Sequence, residues 1–139
     1  MAEKMEKDFE SKTDILKMED APEVVSLRKC QLVVVEGPGK NKKITLNKNV
    51  TTVGKRETND FPLEDKTVSR THLEIEYKED SFILRDLAST NGTYLNGSKV
   101  KEAYLAPGDT IKLGNTLMEF TAFDEKVAIE PSTKEIFGA

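Results

Sequence analysis

The amino-acid sequence predicts an all-β fold, a sandwich or a barrel, and three observations carry that expectation. Between Arg28 and Phe123 the apolar residues fall in short alternating or β-branched runs. Turn chemistry separates the runs at spacings of roughly 8–12 residues. No segment of that span carries the period of an amphipathic helix.

The elements follow in order. Met1 to Asp20 is dense in Lys, Glu and Asp with scattered Met, Phe, Ile and Leu, a composition that buries too little to order itself. Residues 1–27 are therefore expected to form a flexible arm. Gln31–Glu36 is a β-branched run closed by Gly37-Pro38-Gly39. Lys43–Leu46 alternates, and Thr51–Val53 leads into Gly54. His72–Tyr77 places Leu73, Ile75 and Tyr77 on one face. Phe82–Leu87, Asp109–Leu113 and Thr116–Phe123 complete the strands, with turn signals at Lys78–Ser81, Pro107–Asp109 and Gly114-Asn115. Two Asn-Gly pairs, 91–92 and 96–97, are strong short hairpin signals because both residue types tolerate positive φ. Beyond Phe123 the chain turns polar and contains Pro131. The expected organisation is one domain over 28–123 and a linker over 124–139 leading to a downstream domain.

Composition narrows the function classes. The chain has 139 residues and a formal net charge of −4, which argues against general nucleic-acid binding and makes any basic site a local patch. Cys30 is the single cysteine, so there is neither a disulfide framework nor a thiolate cluster for zinc. No apolar stretch approaches the roughly 20 residues of a membrane helix, and the charged N-terminus has no apolar core of a secretory leader. A cytoplasmic protein without cofactor, and without membrane or nucleic-acid partner, is the expectation.

Three loops gather anion-binding groups. Gly54-Lys55-Arg56 places two cations after a glycine. Ser69-Arg70-Thr71-His72 sets a hydroxyl beside a guanidinium. Ser89-Thr90-Asn91-Gly92-Thr93 adds hydroxyls and an amide. Singly, each has a plainer explanation. Ser69 or Thr90 bonds its own turn backbone. Asn91-Gly92 and Asn96-Gly97 are turns. Lys55 and Arg70 are solvated charges, and a lone histidine such as His72 is a structural hydrogen-bonder. Together they suit a phosphothreonine, which carries about −1.5 to −2 charges and three strong acceptor oxygens.

In order and spacing, Gly54-Lys55, Ser69-Arg70-Thr71-His72, Ser89–Thr93 and Asn96-Gly97 resemble the motif of the forkhead-associated (FHA) domain, a phosphothreonine-peptide binding module. The resemblance covers roughly residues 30 to 123. It implies a two-sheet sandwich of about 11 mostly antiparallel strands, binding through loops at one end. It also implies that Ser69 and the basic residue near Gly54 contact phosphate, that Arg70 and Thr71 flank the peptide, that Thr90 assists at the phosphothreonine, and that Asn91 holds the peptide backbone. Gly54, His72, Gly92 and Asn96 would shape the loops. The family carries arginine where Lys55 stands, and a lysine cannot make the planar two-pronged contact, so either Lys55 suffices or Arg56 takes the role.

The flanks Val24–Leu32 and Glu125–Ser132 look like those of FHA domains in bacterial sigma-54-dependent transcriptional activators. That points to the regulatory input domain of a larger signalling or transcription-control protein. The aliphatic Leu16, three residues after Thr13, makes Thr13 a candidate internal ligand once phosphorylated. The alternative is an FHA-like domain that binds an unphosphorylated partner or acts in intramolecular regulation. A Ser-His-Asp hydrolase would have to use His72, which lies outside any Gly-x-Ser-x-Gly elbow, so the chain is expected not to be an enzyme.

Overall fold

A computed structural model of the chain describes residues 26–130. Thr13, most of the expected arm and residues 131–139 of the expected linker lie outside them. Eleven strands follow in sequence: β1 Ser26–Glu36, β2 Lys43–Thr45, β3 Val50–Gly54, β4 Phe61–Pro62, β5 Leu73–Lys78, β6 Ser81–Asp86, β7 Thr93–Leu95, β8 Ser98–Val100, β9 Glu102–Tyr104, β10 Thr110–Leu113 and β11 Thr116–Ala128. They form a six-stranded sheet, β2-β1-β11-β10-β7-β8, and a five-stranded sheet, β4-β3-β5-β6-β9. Pairings are antiparallel except β3 with β4. This is the two-sheet sandwich that the sequence leads one to expect.

Alternation builds the core, because successive side chains in a strand point to opposite faces. Leu32 and Val34 of β1, Leu73 of β5, Leu84 of β6, Ile111 and Leu113 of β10 and Met118 of β11 are all fully buried between the sheets. Each contributes about 1.5–3 kcal/mol of apolar burial. Phe82 stacks between Tyr77 and Phe120, with centroids 5.0 and 5.6 Å away.

Turn chemistry sets the hairpins. Asn96 (φ 50°) and Gly97 (φ 89°) join β7 to β8 as a two-residue loop. Asn91-Gly92 makes no such hairpin: only Gly92 has positive φ, and the pair closes the long β6–β7 loop instead.

The last strand runs further than its alternation. The expected linker begins at Asp124, whereas β11 continues to Ala128 and pairs with the start of β1. The cause is a bulge. Arg28 pairs with Lys126 and Cys30 with Ala122, so Phe123, Asp124 and Glu125 together oppose Lys29. The bulge resets the face on which side chains emerge, which hides the strand from a period-two reading.

Candidate functional site

The β3–β4, β4–β5 and β6–β7 loops and the β10–β11 turn meet at one end of the sandwich, fastened by bonds between loops. The Lys55 and Arg56 N–H groups donate to the Ser69 and Arg70 carbonyls at 2.9 and 3.1 Å. This close approach needs Gly54, since a Cβ there would collide with the Arg70 carbonyl and the Thr71 Cα. Buried Asn59 donates its amide to the carbonyls of Arg56 (2.8 Å) and Arg70 (2.7 Å), locking the two loops in register.

His72 is fully buried and ties the β4–β5 loop to the β6–β7 loop. The Ser69 N–H donates to its Nδ1 at 3.0 Å, so Nδ1 is an acceptor and Nε2 carries the proton. Nε2 then donates to the Gly92 carbonyl at 2.9 Å. Both ring nitrogens are committed, which leaves no lone pair to act as a general base. Gly92 is buried at φ 85°, a conformation costly for side chains with a Cβ.

Two inward-turned carboxylates hold the remaining backbone. Asp86 accepts from the Ser89 N–H (3.0 Å), the Ser89 hydroxyl (2.5 Å) and the Thr93 hydroxyl (2.7 Å). The Ser89 Oγ in turn accepts from the Gly92 N–H at 3.0 Å. Asp65 accepts from the N–H and hydroxyl of Thr67 at 2.9 and 2.6 Å. It also accepts from the Asn115 N–H at 2.9 Å and the Thr116 hydroxyl at 2.7 Å. Burial pushes both carboxyls up, but these donors outweigh it and hold both below the ordinary range.

On this frame lies a polar cleft of about 320 Å³ lined by Lys55, Lys66, Ser69, Arg70, Thr90 and Asn91, with Thr67 and Val68 at its floor. No carboxylate lines it, and none of its three cations pairs with a carboxylate among the described residues. The Thr90 N–H donates to Ser69 Oγ at 3.0 Å, so the hydroxyl proton is left to donate outward. The Asn91 amide donates to the Thr67 carbonyl at 2.8 Å, which keeps Oδ1 free as an acceptor. Beside the cleft, and sharing Thr67 and Asn91 with it, is a mainly apolar hollow of about 530 Å³ lined by Tyr94, Leu117 and Lys112.

Of the residues singled out in the sequence, Lys55, Ser69, Arg70, Thr90 and Asn91 therefore share one cleft. Arg56 and Thr71 are exposed but do not line it. Gly54, His72 and Gly92 lie beneath the loops. Asn96 sits at the other end of β7, where its Oδ1 accepts from the Thr110 N–H at 2.9 Å and its amide donates to Asp109 at 3.0 Å. Sequence reasoning missed Lys66, Asn59, Asp65 and Asp86. The spacings Asp65-x-Thr67 and Asp86-x-x-Ser89 are turn signatures that mark the two carboxylates. Nothing local marks Asn59. Among the described residues no cluster of His, Cys, Asp or Glu is placed to hold a metal ion, and no helix is long and apolar enough to cross a membrane.

A β-sandwich whose end loops form a cationic cleft over a buried histidine, a buried Asp65 and a half-buried Asp86 defines a class of modules that bind through loops. The chain belongs to the FHA family. The FHA domain model matches residues 51–114. The oxoglutarate dehydrogenase inhibitor of Corynebacterium glutamicum is 33% identical over 116 residues, covering 84% of this chain and 81% of that protein. The glycogen accumulation regulator GarA of Mycobacterium tuberculosis is 37% identical over 89 residues, 64% of this chain. The chain spans 55% of GarA's length, about half of the first curated relatives it matches. Among solved structures, one from a study of phosphothreonine-dependent FHA domain interactions superposes with TM-score 0.64 and 33% identity, covering 70% of this chain and 99% of that one. The FhaA FHA domain, solved in complex with the intracellular domain of another protein, gives TM-score 0.61 and 35% identity, covering 66% and 98%.

Proposed function

We propose that this chain is a non-catalytic module that binds a phosphothreonine-containing peptide and through it regulates a bacterial partner protein. The observation that carries the reading is the cleft: three cations with no ion-pair partner among the described residues, an outward-donating Ser69 hydroxyl and no lining carboxylate, in a chain whose net charge is −4. Lys55 and Ser69 hold the phosphate, Arg70 and Thr90 flank it, and the Asn91 Oδ1 accepts from a peptide N–H. Arg56 and Thr71 act from outside the cleft lining, so their side chains contribute less than Lys55. The adjoining apolar hollow receives an aliphatic side chain of the peptide.

The names of the curated relatives, a glycogen accumulation regulator and an oxoglutarate dehydrogenase inhibitor, support control of a metabolic enzyme in the cytoplasm over the transcriptional role that the flanks had pointed to. Phosphorylated Thr13 docking into its own domain is an internal form of the same recognition, and tethering raises its effective concentration.

The test is a titration of matched phosphothreonine, phosphoserine and unmodified peptides. Phosphothreonine binding tightest and the plain peptide not at all is the expected result. Equal binding of phosphorylated and plain peptides would overturn the reading in favour of a partner recognised without phosphate. Lys55→Ala should weaken phosphopeptide binding more than Arg56→Ala does.

A further inference from the structure

The position next to Gly54 leaves an electrostatic shortfall. Lys55 brings one point charge to an anion carrying about −1.5 to −2 charges, and it lacks the planar fork of an arginine. On the β4–β5 loop stands Lys66, which lines the same cleft as Lys55, Ser69 and Arg70. Resting on the phosphothreonine reading above, we propose that Lys66 is a further phosphate contact of this site, adding its charge to that of Lys55.

Three observations support it. Lys66 is exposed, and no described residue pairs with its ammonium. Its backbone is pinned: the neighbouring Asp65 accepts the Thr67 N–H and hydroxyl, and the Val68 N–H donates to the Asp65 carbonyl at 3.1 Å. Finally, Asp65, the carboxylate nearest in sequence, is turned inward and already accepts from four donors, so it does not compete for the lysine. Exposed Glu57 and Glu64 border a separate hollow on the other side of Lys55 and Lys66, and neither forms an ion pair with them. The side chain is thus an unpaired cation on a fixed stalk at the rim of a cleft that lacks negative charge.

The experiment is calorimetric titration of the whole chain with a phosphothreonine peptide that the wild-type chain selects from a library, across a series of salt concentrations. Lys66→Ala is expected to weaken binding by about five-fold at low salt and to flatten the salt dependence. Lys66→Arg should restore affinity, and Lys66→Glu should weaken it beyond alanine. Two versions of the peptide, with Asp or Ala beside the phosphothreonine, should show the same loss. A loss confined to the Asp-flanked peptide would overturn the phosphate contact and assign Lys66 to a flanking carboxylate. Unchanged affinity and salt dependence in Lys66→Ala would overturn the inference while leaving the site's function standing. Absence of any phosphate-dependent binding by the wild-type chain would overturn both.

Discussion

The body of the sandwich and its loop end are held together by different forces. Between the sheets, Leu32, Leu84, Ile111 and Met118 have no solvent exposure and carry no hydrogen-bonding side-chain group that needs a partner. Beneath the loops the buried residues are His72, Asp65 and Asn59, each bonded to backbone of another segment. A loop has no ladder to pair its amides and carbonyls, so side chains must do it. The result is a rigid polar frame whose outward face carries the cations of the cleft.

Mutations should separate the two regions. The largest stability loss belongs to the body: Leu84→Ala should cost about 3 kcal/mol in denaturant unfolding. Phosphopeptide affinity of the folded fraction should stay unchanged, because Leu84 lies in the core on β6 and does not line the cleft. At the loop end, His72→Ala should cost less, about 2 kcal/mol, from the orphaned Ser69 N–H and Gly92 carbonyl. It should nevertheless abolish measurable binding, because Ser69 and Asn91 lose their common anchor. If Leu84→Ala harmed affinity more than His72→Ala, the division of labour would fail.

The frame also sets a pH signature. Asp65 and Asp86 have carboxyls held below the ordinary range in the folded protein. A depressed folded pKa means that the unfolded chain takes up protons first as pH falls. Their stabilising contribution is therefore present above the unfolded value of about 4 and is lost as the solution is acidified through their folded pKa values. Stability measured from pH 7 downwards should fall in that acid window, and Asp86→Asn should reduce the slope. An unchanged slope would show that the carboxylates are not what holds the loops.

Much of the body was legible because burial writes itself into alternation: Leu73 and Ile75 on β5, or Leu32 and Val34 on β1, announce their face. The β11 extension was not, because the bulge opposite Lys29 breaks the phase. Nor were β4, β7, β8 and β9, two or three residues each and too short to carry a period. At the site the outward groups Ser69, Arg70, Thr90 and Asn91 could be named from motif order. The frame could not, since Asn59 acts on Arg56 and Arg70 by position in space, and Lys66 looks like any surface lysine until the loop folds it over the cleft.

The turn at the end of the body away from the cleft offers the smallest and most diagnostic change. Glu79 and Asp80 join β5 to β6 with φ of 51° and 65°, the conformation that Asn-Gly adopts at Asn96-Gly97 without a steric penalty at the glycine. Neither Glu79 nor Asp80 is glycine, and a left-handed conformation costs an ordinary residue about 1–2 kcal/mol. Replacing Glu79-Asp80 with Asn-Gly removes the exposed Tyr77–Asp80 hydrogen bond at 3.2 Å, a minor loss in water. The double variant should therefore gain about 1 kcal/mol in thermal or denaturant unfolding. Its phosphopeptide affinity should be indistinguishable from wild type, since the turn shares no residue with the cleft or its frame. A shift in affinity would mean that strain in the body reaches the loops through β5 and β6, whose site-side ends carry His72 and Asp86, and the two regions would have to be treated as one mechanical unit.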